Sequence, residues 1–187
     1  MANQVGTALA MQLVIPDPSL VVLCGPAGSG KSTFASRHFA ETAVVSSDRC
    51  RALIADDEGE TRVSGEAFTL FHHIIDARLR YRRLTVADST ALSPPARQDL
   101  LKLARRRSVP AYLIVFDVSE EVCRQWNARR GRVVPPDVIH RQRQALEQAL
   151  AHVGTEGFAE VAVFHADEIT DARVEIARPP SRRPGRG

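Results

Sequence analysis

Gly25-Pro-Ala-Gly-Ser-Gly-Lys-Ser-Thr33 has the residue types and spacing of a phosphate cradle, a glycine and four residues followed by Gly30-Lys31-Ser32. Gly25, Gly28 and Gly30 permit backbone angles that let successive N–H groups, including those of Ser29 and Thr33, converge on phosphate oxygens. Lys31 would reach the β- and γ-phosphates of ATP, and the Ser32 hydroxyl would ligate Mg²⁺. Lysine is scarce: of the 25 basic residues only Lys31 and Lys102 are Lys, and the rest are Arg. Its presence in the loop therefore points to chemistry rather than to a solvated turn.

Phosphoryl transfer also needs a group to take the acceptor's proton and cations for the developing charge. Asp48 and Arg51, three residues apart in a first helical turn, would share one face. A carboxylate that accepts a hydroxyl proton beside a guanidinium that grips a phosphate suits an acceptor bearing both groups. The structural alternative for Asp48 is a helix N-cap with a local ion pair. Asp88 and Asp117 compete as the metal-linked acid. Asp88 opens a polar Asp-Ser-Thr cluster, whereas Asp117-Val-Ser-Glu120 reads as a capping box, so Asp88 is favoured, reaching the metal through a water and lining the acceptor site. Arg129, Arg130 and Arg132 flank Gly131 in a segment that would close over bound nucleotide, the alternative being cations at a helix C-terminus. Trp126, one turn before Arg130, is either core or a platform for a base.

These residues must be positioned by alternating strands and helices. The apolar run 19–24 is a central parallel strand, followed by a helix over 31–41. Strands are expected at 43–46, 84–87, 111–116 and 161–164, with helices beginning near 47 and covering 65–83, 94–107, 119–130 and 137–152. Residues 11–15 and 172–176 read as edge strands, and Gly131 as a left-handed helix cap. The pattern predicts an α/β fold with a mostly parallel central sheet, flanking helices and a helical lid at about 126–138. In such sheets ligands bind past the carboxyl ends of the strands, here 25–33, 46–51, 88–90 and 117–119. Domain boundaries fall at a flexible extension 1–10, a kinase domain 11–177 and a basic tail or linker 178–187.

Other features read as structural. The arginines at 78–83 and 105–107 suit helix C-termini, although the second group could touch a phosphate backbone. The acidic stretch Asp56–Glu60 reads as a solvated loop, and His72 and His73 lack ligand-spaced partners. Cys24, Cys50 and Cys123 lack disulfide or zinc spacing, which with the absence of a membrane-length apolar run predicts a cytoplasmic protein and no membrane association. The net charge of +3 says little about a polyanionic partner. Residues 178–187 hold four arginines and no acid, so without them it becomes −1.

Leu20–Ala35, Val45-Ser-Ser-Asp-Arg-Cys-Arg51, Leu84-Thr-Val-Ala-Asp-Ser-Thr90 and Val122-Cys123 with Asn127 and Arg130 together resemble the N-terminal 5′-OH polynucleotide kinase domain of the bacterial RNA-repair enzyme Pnkp. The likeness covers Met11 to Ile176, and Ser-Asp-x-Cys-Arg is its more specific part. It implies a P-loop phosphotransferase that moves the ATP γ-phosphate to the 5′-OH of RNA or DNA with Mg²⁺. By that resemblance Lys31 and Ser32 hold phosphates and metal, Asp48 is the general base, Arg51 grips the acceptor-side phosphate and Arg130 is the lid arginine. It also implies phosphatase and ligase-like domains and an RNA 3′-end methyltransferase as partners. Trp126 replaces an arginine near the adenine and is expected to stack on or beside the base. A small-molecule kinase, for a sugar acid or nucleotide, and a non-catalytic ATP-binding switch are the alternatives.

Overall fold

Leu20, Val22 and Cys24 face one apolar layer and Val21 and Leu23 the other, so the run Leu20–Cys24 (β2) is buried on both faces, as a central parallel strand must be. The computed structural model describes residues 12–178. Five parallel strands stand in the order β3-β4-β2-β5-β6: Val44–Ser46 (β3), Thr85–Asp88 (β4), β2, Ala111–Phe116 (β5) and Glu160–Phe164 (β6). The α/β fold with helices on a parallel sheet is as the sequence predicts.

On one face lie Ser64–Arg80 (α3) and Pro94–Arg106 (α4), contributing Phe71, Ile75, Leu79, Leu100 and Leu101. On the other lie Lys31–His38 (α1) and Glu120–Ala128 (α5), while Pro136–Leu150 (α6) supplies Ile139 there and Leu146 to the first face. Phe34 of α1 packs at 5.3 and 5.5 Å, centroid to centroid, on Phe116 and Phe164. Its burial is worth about 1.5–3 kcal/mol, enough to fix α1 and hence the loop before it. Ser47–Ala55 (α2) follows β3 directly.

Residues 11–15 and 172–176 were expected at edges of the main sheet. Instead Gln12–Pro16 (β1) and Arg173–Ala177 (β7) pair with each other as a separate two-stranded parallel sheet. Leu13 and Ile15 are buried while Gln12 and Val14 are exposed, so β1 has one apolar face and covers the second core layer with it. α5 ends at Ala128 with Arg129 as its right-handed cap, so Gly131 does not cap it in a left-handed conformation. The expected extension 1–10 and residues 179–187 of the tail lie outside the described residues. Among those described, no helix is long and apolar enough to cross a membrane.

The strand register sets up the site. Asp88 on β4 stands beside Leu23 of β2 on one side and Ser46 of β3 on the other. Segment 25–33, Asp88 and the start of α2 therefore emerge from neighbouring strands at one end of the sheet.

Candidate active site

Gly28 and Gly30 have φ of +79° and +90°, a region other residues rarely enter. Space also demands glycine at 28, where a Cβ would lie 2.3 Å from the Cys123 carbonyl oxygen and 3.1 Å from Asn127 Cβ. At Gly30 it would meet the Trp126 ring at 3.3 Å. The loop is thus pressed against α5, and Ala27 N–H donates to Gln142 Oε1 of α6 at 2.7 Å. Gly30 caps α1 with no side-chain acceptor, which leaves the first-turn N–H groups of Lys31, Ser32 and Thr33 facing outward to an anion. Lys31 is buried, its ammonium donating to Gly25 O at 2.8 Å, Pro26 O at 2.6 Å and Ser29 Oγ at 3.4 Å. Burial lowers its pKa from the ordinary lysine value, and the Asp88 charge opposes that shift.

Ser32 Oγ donates to Asp88 Oδ2 at 2.8 Å. Burial pushes the Asp88 carboxyl above the ordinary carboxylate range, against the pull of Lys31 and the Ser32 bond. A hydroxyl backed by a carboxylate at a helix N-terminus is the hard oxygen set that Mg²⁺ takes alongside phosphates and water, so Ser32, with Asp88 behind it, would hold that ion. Among the described residues no three His, Cys, Asp or Glu cluster as metal ligands. Asp117, the competitor, is engaged by Arg143 and lies 3.5 Å from His165 Nδ1. It does not form the expected capping box either: Ser119 caps α5, accepting from Val122 N–H.

Ser46, not Asp48, caps α2 by accepting from Arg49 N–H at 3.3 Å. The capping explanation of Asp48 therefore fails, and its carboxylate pairs with Arg51 through Oδ1 while Oδ2 lies 3.7 Å from Arg132 Nη1. The acidic loop is not merely solvated. The Glu58 carbonyl accepts from Arg51 Nε and Arg132 Nη1, each at 2.8 Å, which ties α2 to the segment after α5.

Two clefts meet at this end of the sheet. One, of about 260 Å³, lies between Gly30, Trp126, Arg37, Ile169 and Thr170. The other, of about 870 Å³, runs along β3 from Asp88 past Asp48 and Leu53 to Arg78. Ser32 and Arg130 line both, and thus mark where donor and acceptor would meet. Trp126 is half-buried: its ring packs on the second core layer and still walls the smaller cleft. The other wall, Ile169 and Thr170, escaped the sequence reading, although it follows the carboxyl end of β6 as the strand-end rule requires. Arg37 Nη1 fixes it by donating to Thr170 O at 3.1 Å.

A second missed feature is Arg97, which is fully buried. It donates to Ala91 O and Leu92 O at 2.9 and 2.7 Å and to both Glu156 carboxylate oxygens at 2.8 and 2.5 Å. Nothing in the sequence distinguishes it from the 22 other arginines. The remaining basic clusters sit near the amino ends of the strands, although Arg78 also borders the far end of the larger cleft. Arg78 donates to Leu84 O, Arg82 to Arg107 O and Ser108 O, and Arg107 pairs with Asp76 at 2.6 Å. Arg105 reaches Glu156 O, so residues 105–107 brace helix ends rather than form a phosphate-binding strip beside the clefts.

The sequence profile of the AAA domain family matches residues 20–150. Among solved structures, the chain is similar to the Pnkp1/Rnl/Hen1 RNA repair complex at 21% identity and a TM-score of 0.62, covering 80% of this chain and 48% of that one. It is also similar to a gluconokinase from Sinorhizobium meliloti 1021 (18%, TM-score 0.52, 83% and 90% covered). A shikimate kinase from Bacteroides thetaiotaomicron matches likewise (15%, TM-score 0.52, 80% and 87% covered). The chain thus spans about half the length of the repair-complex chain it matches. At these identities the likeness establishes a P-loop kinase-like fold. No curated protein matches the sequence.

Proposed function

Because the chain belongs to the AAA domain family over residues 20–150, we propose that it transfers the γ-phosphoryl group of ATP to an acceptor hydroxyl, and that the acceptor is the 5′-OH end of RNA or DNA. The observation that carries this reading is the placement of Asp48, a carboxylate on the wall of the larger cleft, one strand away from the Ser32–Asp88 pair and held by Arg51. ATP would lie with its base by Trp126 in the smaller cleft and its phosphates on the N–H groups of 28–33. Bound Mg²⁺ would supply neutralisation of the phosphate charge.

Asp48 would take the proton of the incoming hydroxyl as its oxygen bonds to the γ-phosphorus and the bond to the β,γ-bridging oxygen breaks, releasing ADP. A carboxylate has about four lone-pair sites, so the bond from Arg51 orients Asp48 and leaves room to accept the proton. Lys31 and Arg130 line the smaller cleft and would neutralise the charge that develops, Arg130 from the lid. The larger cleft, about 870 Å³, has room for the end nucleotide of a polynucleotide, and the Ser-Asp-x-Cys-Arg resemblance points the same way. Under this reading Pnkp-like phosphatase and ligase-like domains and an RNA 3′-end methyltransferase are partners to test.

Phosphorylation of a sugar acid or similar metabolite is the second reading, favoured by the gluconokinase and shikimate kinase likenesses. The test is transfer of label from γ-labelled ATP, with Mg²⁺, to 5′-OH oligonucleotides against gluconate and shikimate. Labelling of the oligonucleotide alone supports the first reading, and labelling of a metabolite alone overturns it. ATP binding with transfer to neither, and function surviving Asp48→Ala, would leave the non-catalytic switch.

A further inference from the structure

Asp88 ends β4, and the chain then turns through Ser89-Thr-Ala-Leu92 before α4 begins at Pro94. That turn touches the phosphate loop directly. Thr90 O accepts from Gly25 N–H at 3.0 Å, and Ala91 O accepts from Cys24 Sγ at 3.4 Å. Gly25 O in turn accepts from the Lys31 ammonium at 2.8 Å, so Gly25 is gripped by the turn through its N–H and by Lys31 through its carbonyl. Ser89, Ala91 and Leu92 are buried, and Ala91 has φ of +44°, a left-handed conformation that a residue with a Cβ keeps only where its surroundings impose it.

Arg97 supplies that constraint. Its Nη1 donates to Ala91 O at 2.9 Å and to Leu92 O at 2.7 Å, while Nε and Nη2 hold the Glu156 carboxylate at 2.8 and 2.5 Å. Four of its five N–H donors are thus committed, and a lysine, with a single nitrogen, could not span both carbonyls and the carboxylate. Stability alone does not call for this arrangement. A buried ion pair contributes little beyond an apolar pair of similar volume, because desolvation offsets the attraction. Its place is the informative feature. Glu156 lies just past α6 and the short helix Val153–Thr155, and α6 also takes the Ala27 N–H on Gln142. The phosphate loop is therefore steadied from this side twice, directly at Ala27 and through Arg97 and its turn at Gly25.

We propose that Arg97 is a positioning residue for the phosphoryl-donor site: through the turn 89–92 it sets Gly25, where the phosphate loop begins, and Asp88, which immediately precedes the turn and backs Ser32. The role rests on the reading of 25–33 as an ATP cradle and deepens it, since the cradle's geometry then depends on a side chain that never meets the nucleotide. Misplacing such a group by about 1 Å costs roughly 10²-fold in rate.

The test is the pair variant Arg97→Met/Glu156→Leu, which removes both charges, keeps the volume and should melt within a few degrees of wild type. It is expected to bind a non-hydrolysable ATP analogue with Mg²⁺ about tenfold more weakly by calorimetry, to exchange the Gly25 amide faster, and to lose roughly 10- to 100-fold in kcat. Arg107→Met is the control for lost stability. It strands Asp76 and lowers the melting temperature, yet leaves analogue affinity and Gly25 exchange as in wild type. A merely structural Arg97 predicts wild-type affinity in the folded pair variant, and that result overturns the proposal, as does weaker binding with Gly25 exchange unchanged. Should the pair variant not fold, Arg97→Lys keeps a cation facing Glu156 without holding both carbonyls. Wild-type affinity in that variant, at a temperature where circular dichroism shows it folded, overturns the proposal equally. Transfer to a 5′-OH oligonucleotide is read in parallel. Wild type that binds the analogue but transfers to no acceptor sinks the kinase reading and keeps the positioning role, while undiminished transfer by the pair variant does the reverse.

Discussion

Replacing Asp48 by Asn separates its proposed role as base from its part in the fold, since the side chain keeps its size and place in the first turn of α2 but cannot take a proton. Loss of a general base costs about 10²–10⁴-fold in rate. At 1.36 kcal/mol per decade this is about 3–5 kcal/mol of transition-state stabilisation. The fold loses far less. Ser46 caps the helix, and the Asp48 side chain is 39% exposed, so what goes is a first-turn acid and a partly solvated ion pair. Those are worth about 0.3–1 and 0.2–1 kcal/mol, a melting shift of only a few degrees. The assay is steady-state transfer to a 5′-OH oligonucleotide with KM for ATP, beside thermal unfolding of the same preparations. The expected result is kcat down by 10² or more, ATP binding unchanged and a melting temperature nearly that of wild type. More than a tenth of wild-type transfer in Asp48→Asn, or a loss that tracks weaker ATP binding or unfolding, refutes Asp48 as the base.

Arg97→Ala strands the Glu156 carboxylate and two carbonyls in the core and should cost about 3–5 kcal/mol, lowering the melting temperature by roughly 10 °C. The exposed Lys102–Asp99 pair is the control, since Lys102→Ala should change stability by less than about 1 kcal/mol. Gly28→Ala should both destabilise the protein and weaken ATP binding, because the methyl group meets the Cys123 carbonyl, whereas Gly65→Ala, with nothing within 4 Å, should raise stability by about 0.5–1 kcal/mol. The native Asp88 carboxyl sits above its ordinary 3.8, so ionising it costs nothing below that pH, and the cost grows as pH rises through the raised value. Asp88→Asn should thus gain stability relative to wild type on the neutral side of pH 3.8, read from melting temperature against pH, even as transfer falls. A pH-independent difference would count against it. Trp126 is the single tryptophan, and its fluorescence should change as ATP is titrated; an unchanged signal at wild-type affinity removes it from the base site.

Sequence reasoning reached what local pattern controls and stopped where packing took over. The glycine spacing of 25–33 demands one backbone path, and β2 is apolar on both faces, so the loop and its strand could be read directly. Asp48 and Asp88 could be placed near one another because parallel strands put their ends side by side. Arg97 could not be found, since its burial depends on Glu156, 59 residues away, and arginine is abundant here. The pairing of β1 with β7 joins residues about 160 apart and has no local signature. Gly131 suggested a helix end at the right place, but α5 closed two residues earlier and in a right-handed conformation, so the glycine belongs to the loop that carries Arg132 across the cleft.

Under the proposed function, the two carboxylates along the larger cleft divide the work through their surroundings. Asp88 is 6% exposed and bonded to Ser32; burial raises its proton affinity against the pull of Lys31, although it borders the larger cleft. Asp48 opens to the larger cleft and is flanked by Arg51 and Arg132. Both are aspartates, so under that proposal the roles differ through surroundings alone: burial makes one acid a support for the donor side while the first turn of α2 presents the other to the larger cleft. A double substitution of Asp48 and Asp88 by Asn should therefore combine the transfer losses of the two single substitutions while retaining the stability gain of Asp88→Asn, whereas two acids acting as one unit would give losses that do not add.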